Sequence, residues 1–171
     1  MKENTMKKLV SLIAVIAATT MFLITDVYAA MNQYKAGDII IENPWARATM
    51  SSAQTAAAFL TIKNNGSTPD RIVALQSPIS QKTEIHQSFM EGDMMRMRPV
   101  GVLELAPGEV TMLKPGSYHV MFMGLKFPLA IGETFPLRVK FEKSGEVEVI
   151  VKIMKAGARG GMNMDNMNHA N

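Results

Sequence analysis

The 171-residue chain contains no cysteine. That single absence removes disulfides, thiolate nucleophiles, iron–sulfur clusters, cysteine-based zinc sites and blue-copper centres. Histidine is scarce too, at three residues, which is few for the centre of a copper oxidase or dismutase. No Ser/His/Asp set and no pair of carboxylates stands out, so neither nucleophilic hydrolysis nor glycosidase chemistry has a foothold. Carboxylate clusters for hard cations are likewise missing. The formal net charge is only +3, without a clustered basic patch, which argues against nucleic acid as a partner.

Methionine is abundant instead, with 16 residues. Three lie near the amino end, and most of the others gather at 90–97, 121–123 and 162–167. The amino end has the form of a secretory leader: a head with Lys2, Lys7 and Lys8, the uncharged run from Leu9 to Thr25, and Val27-Tyr28-Ala29 at the junction. Residues 1–29 are therefore expected to be a signal peptide cleaved after Ala29. The competing reading is an uncleaved anchor, since the run is only a little short of a spanning helix. No later stretch is long and apolar enough to span, so the mature protein is expected outside the cytoplasm, periplasmic or exported, with no membrane span.

Residues 30–155 read as one domain of short strands separated by turn signals: Asn64-Asn65-Gly66, Ser77-Pro78, Glu91-Gly92-Asp93, Pro107-Gly108, Pro115-Gly116 and Lys143-Ser144-Gly145. With no long helical period, the expected class is all-β, an antiparallel sandwich or barrel. Asn43-Pro44 reads as a strand break, Pro99 as a strand end or edge, Pro136 as punctuation, and Trp45 as a core anchor. Residues 156–171 dissolve into Gly, Asn and Met and read as a flexible tail.

Within the domain, Ser117 to Gly124 is an apolar run in which alternate side chains share a face. His119, Met121 and Met123 fall on one side, Val120 and Phe122 on the other. His86 alternates in the same way with Ile85, which turns the histidine outward. Met95 and Met97 alternate with Arg96 and Arg98, a pattern that equally describes two core methionines backed by solvated arginines. Thioether and imidazole together select copper, and thioether in particular Cu(I). Zinc ordinarily takes thiolate, imidazole and carboxylate. In the tail, Met162, Met164, Met167 and His169 form a tract suited to auxiliary copper capture, as Cu(I) or Cu(II), or else an inert segment.

His86, Met97, His119 and Met121 follow the spacing His-x10-Met-x21-His-x-Met. This spacing resembles the signature of the periplasmic copper chaperones of the PCu(A)C type. Supporting segments include Pro44-Trp45-Ala46-Arg47-Ala48, Ala57-Ala58-Phe59-Leu60, Met97-Arg98-Pro99-Val100 and Gly124-Leu125-Lys126. The resemblance implies an antiparallel Greek-key β-sandwich, cupredoxin-like or immunoglobulin-like, and a monomeric carrier rather than an enzyme. It also implies that His86, Met97, His119 and Met121 hold Cu(I). The implied partner is a copper recipient, such as a cytochrome c oxidase subunit or its assembly factor. One departure is Gln87, where the family motif often has methionine. The rival reading is a structural or protein-interaction sandwich with a Met-rich binding face.

Overall fold

The computed structural model describes residues 33–155. They form eleven strands: β1 (Gln33–Ala36), β2 (Ile39–Arg47), β3 (Thr55–Asn64), β4 (Asp70–Gln76), β5 (Ser80–Glu91), β6 (Met94–Val100), β7 (Leu103–Leu105), β8 (Val110–Leu113), β9 (Tyr118–Leu125), β10 (Thr134–Phe141) and β11 (Glu146–Met154). The all-β expectation holds, and among the described residues no helix is long and apolar enough to cross a membrane. The leader and the Met/His tail lie outside the described residues.

The hydrogen-bonded order is β6-β5-β9-β3-β2-β11-β10-β4-β7, with β1 added to β2 and β8 to β3. This continuous ladder folds over on itself. Phe122 of β9 meets Phe135 of β10 edge to face, ring centres 5.3 Å apart, although three strands separate β9 from β10 in the order. A single apolar cluster fills the space between the layers, drawing Ile41, Ala58, Leu60, Ile85, Val120 and Phe122 from one side and Ile72, Leu105, Leu137, Val139, Val149 and Val151 from the other. Along this order the pairings are antiparallel except one: β11 runs parallel to β2, with Lys152 opposite Trp45 and Met154 opposite Arg47.

Two differences from the sequence expectation have local causes. Asn43-Pro44 does not end a strand; β2 continues through it. Asn43 takes the left-handed conformation at φ 51°, and the register with β3 slips between Glu42 and Trp45. This is a bulge, and it reverses which face the following residues occupy. Ile41 and Ala46 therefore both join the core cluster, while Trp45 and Arg47 turn to the outer face. Pro136, read as punctuation, lies inside β10, where Ile150 of β11 is its partner and pairing with β4 begins only at Arg138. A residue without an N–H is tolerated at such an open edge. The first strand, β1, carries no signal that sequence inspection picked out.

Away from the histidines, Asp70 ties β4 to the neighbouring hairpin. This buried carboxylate accepts hydrogen bonds from the N–H groups of Arg71 (2.8 Å), Lys143 (3.0 Å) and Ser144 (2.9 Å), fastening the start of β4 to the β10–β11 turn. Burial raises its pKa, but the hydrogen bonds to Ser144, Arg71 and Lys143 outweigh it, and the net shift is downward.

Candidate metal centre

The centre lies on the outer face of β6-β5-β9-β3-β2. On β9 the expected alternation is present: Val120 and Phe122 are in the core, while Met121 and Met123 are half-buried on the other side. On β5, Ile85 points inward and His86 outward, again as expected. The register of β5 with β9 then sets His86 directly opposite His119, and Glu84 opposite Met121. Directly paired residues share a face. Two histidines 33 positions apart in the chain thus become neighbours, their ring centres 6.0 Å apart.

That separation fits one shared ion. An imidazole nitrogen binds a first-row metal at about 2.0 Å and lies about 1.1 Å from its ring centre, so two rings on one ion have centres up to roughly 6.3 Å apart. The hydrogen bonds decide which nitrogens are free. His119 Nδ1 lies 3.1 Å from the Ser117 carbonyl oxygen, which only accepts, so Nδ1–H donates and Nε2 keeps its lone pair. His86 Nε2 donates a long contact, 3.4 Å, to Glu84 Oε2. Glu84 in turn pairs with Lys82 at 2.7 Å, and first by that hydrogen bond, then by His86, its pKa is held low. Burial pushes the His119 pKa down, the neighbouring His86 adds to this, and the Ser117 hydrogen bond opposes it. His119 is therefore a neutral imidazole at neutral pH, the form that binds metal.

Behind His119 stands an aromatic wall. Phe59 lies 6.5 Å from the His119 ring and 4.6 Å from Trp45, and Arg47 covers Phe59 at 5.6 Å. Trp45 and Phe59 are both buried, yet neither belongs to the main core cluster. Trp45 is thus buried as expected, but the bulge at Asn43 turns it to the histidine face and not into the main cluster. Phe59 and the bulge are what sequence inspection missed here, although the alternation of Ala57 and Phe59 against Ala58 and Leu60 was visible.

The methionines divide. Met121 is two residues along β9 from His119 on the same face. Met97, opposite Ser88 on β6, also faces this side but is 57% exposed, so it is not a core residue. Met97 and Met121 lie at opposite ends of a diagonal through the histidines, with Cα atoms roughly 17 Å apart for a flat sheet at ordinary spacing and rise. The fold therefore assembles His86, His119 and Met121, and it leaves Met97 on a hairpin that must bend over the face to join them. Met162, Met164, Met167 and His169 lie outside the described residues. Among the described residues no group of three or more His, Asp or Glu gathers in metal-binding geometry, so hard-ion and zinc chemistry find no alternative site. An open cleft of about 510 Å³ beside Leu75, Ser77 and Arg138 includes neither histidine in its lining.

Known proteins share this fold. Residues 39–153 match the family described as "Putative lipoprotein LpqE-like". The chain is 27% identical over 128 residues to "Putative lipoprotein Lxx21020" of Leifsonia xyli subsp. xyli (strain CTCB07), covering 70% of this chain and 71% of that protein. Among solved structures, the apo PCuAC domain from PmoF1 superposes with a TM-score of 0.62 at 28% identity, over 72% of this chain and 99% of that one. The Cu(I) form of DR1885 from Deinococcus radiodurans gives 0.52 at 26% identity, over 75% and 84%. The copper-bound PCuAC domain from PmoF2 gives 0.64 at 23% identity, over 72% and 98%, and supports the fold alone. The chain belongs to the LpqE-like family and has the fold of the PCuAC copper-chaperone domains.

Proposed function

We propose that this protein is an exported copper carrier that holds Cu(I) through His86, His119, Met121 and Met97 and passes it to a recipient protein. The observation that carries the reading is the direct pairing of His86 with His119, with the Nε2 of His119 left open by its bond to Ser117. An ion held by neutral imidazole and thioether keeps its own positive charge and meets no thiolate. It is bound firmly enough to travel and loosely enough to leave. Cytochrome c oxidase or one of its assembly factors is the recipient that the family resemblance favours. Export agrees with the leader-like residues 1–29 and with the lipoprotein naming of the relative. This chain has no cysteine, so a thiol-linked lipid has no attachment point in it.

Anaerobic Cu(I) titration against a competing chelator tests the proposal on wild type and on His119→Ala/Met121→Leu. One tight site, lost in the double variant, is the expected result; equal binding by both would overturn it. Equal binding would instead favour the second reading, a Met-rich protein-interaction face, which draws support from the exposure of Met90, Met94, Met95 and Met97. For the tail, deleting the residues after Ala156 is expected to lower the total copper bound, as Cu(I) or Cu(II), and unchanged stoichiometry would exclude that role.

A further inference from the structure

The hairpin of β5 and β6 holds more sulphur than a four-ligand site uses. Its strands are joined by the two-residue turn Gly92-Asp93, with Gly92 at φ 61°, as a tight hairpin requires of its first turn residue. This turn sets Met90 directly opposite Met95. Met97 lies two residues further along β6 and so shares their face. Directly opposed Cβ atoms are about 4.5–5.5 Å apart, and residues two apart on a strand are about 7 Å apart. A methionine sulphur rides on three rotatable bonds, so the three thioethers can meet on one ion without backbone movement. For Met97 this is a far shorter reach than the one to Met121.

The surroundings fit a soft cation. Met90, Met95 and Met97 are 59%, 59% and 57% exposed, so an arriving ion meets them directly. Lys82, at the far end of β5, is held by Glu84 at 2.7 Å, and the arginines of this hairpin sit on its other face. There Arg96 pairs with Glu91 at 3.0 Å, and Arg98 lies 5.2 Å over Phe89 and donates to Gln87 at 3.0 Å. On the methionine face of β5 the nearest ionised group is Glu84, a carboxylate beside His86. The path from the hairpin tip to the histidines is lined with thioether and ends at imidazole.

We propose that Met90, Met95 and Met97 form a second, weaker, solvent-facing Cu(I) site, a landing place from which the ion passes to His86 and His119 with Met97 as the shared ligand. This rests on the copper reading of the histidine site. The handover exchanges ligands only: copper remains Cu(I), and thioethers neither gain nor lose a proton. The landing site has no imidazole, so it holds the ion less firmly than the histidine site, and the ion moves in one direction.

The full-length protein, labelled with carbon-13 at its methionine methyl groups, is titrated anaerobically with Cu(I) presented by a competing ligand. The first equivalent is expected to shift the Met121 signal, and further Cu(I) the Met90 and Met95 signals. Met90→Leu/Met95→Leu, at exposed positions where leucine leaves the fold intact, is expected to lose the second response. It should also slow loading of the histidine site several-fold without changing its final affinity. If the later equivalents shift only Met162, Met164 and Met167, or if the double variant loads at the wild-type rate, the landing site is overturned and the carrier function stands. If no Cu(I) reaches Met121, the carrier reading fails and the landing site fails with it.

Discussion

Adjacent residues of β9 obey opposite requirements. Val120 and Phe122, on the inner face, are sealed into the core; Met121 between them stays half-open, and across β5 on the same outer face Met97 stands in water. The inner face trades mobility for position, fixing the backbone that carries His86 and His119. The outer face leaves its sulphurs accessible, as the proposed binding and release of an ion requires. Stability and copper affinity should therefore be separable by substitution.

Phe122→Ala should do the most damage to folding. It empties a fully buried site against Phe135, and losses of about 3–5 kcal/mol are usual for such a change. Chemical denaturation measures it, and whatever fraction stays folded should still bind Cu(I). Asp70→Ala follows, at about 2–3 kcal/mol, because three N–H groups lose a charged acceptor. Because the folded Asp70 pKa is lowered, its contribution is present above the ordinary carboxylate pKa of 3.8 and is lost as pH falls below it.

His119 gives a pH effect in a higher range. Its folded pKa is also lowered, so between the ordinary value of 6.5 and the folded one the unfolded chain binds more protons. Stability of the metal-free protein should be full above that ordinary value and decline as pH falls through it. His119→Gln should flatten this part of the profile in denaturation series run at several pH values; an unchanged slope would contradict the burial of a neutral ring.

Met121→Leu should lower stability by less than about 1.5 kcal/mol, since the two side chains are close in volume. Its Cu(I) affinity should nevertheless fall clearly in chelator competition. Met97→Leu should be smallest in stability, within about 0.5 kcal/mol as for other exposed positions, yet still weaken copper. If Met97→Leu destabilises as much as Phe122→Ala, the contrast between the faces is wrong.

Much of this contrast was legible in the residues. Alternation alone placed Ile85, Val120 and Phe122 inward and His86 and Met121 outward, because a strand has a period of two whatever it packs against. The status of Met97 was not legible, since alternating Met and Arg look the same whether a hairpin lies over a core or projects beyond it. The face of Trp45 was hidden for a different reason: it depends on one extra residue at Asn43, and Asn-Pro reads as a break when pairing partners are unknown. The opposition of Met90 and Met95 could have been counted outward from the Gly92-Asp93 turn. The opposition of His86 and His119 could not, since no tight turn links β5 to β9.

The terminal position of β6 in the strand order has one more consequence. An outermost strand offers its unpaired backbone groups to any other chain that comes alongside, and such offers end in zippered aggregates. Pro99 has no N–H to give, and Arg96 and Arg98 put charge on the same short strand. A protein that must bring its cargo close to a partner thus exposes sulphur along this rim while denying its backbone, so that contact can end in separation.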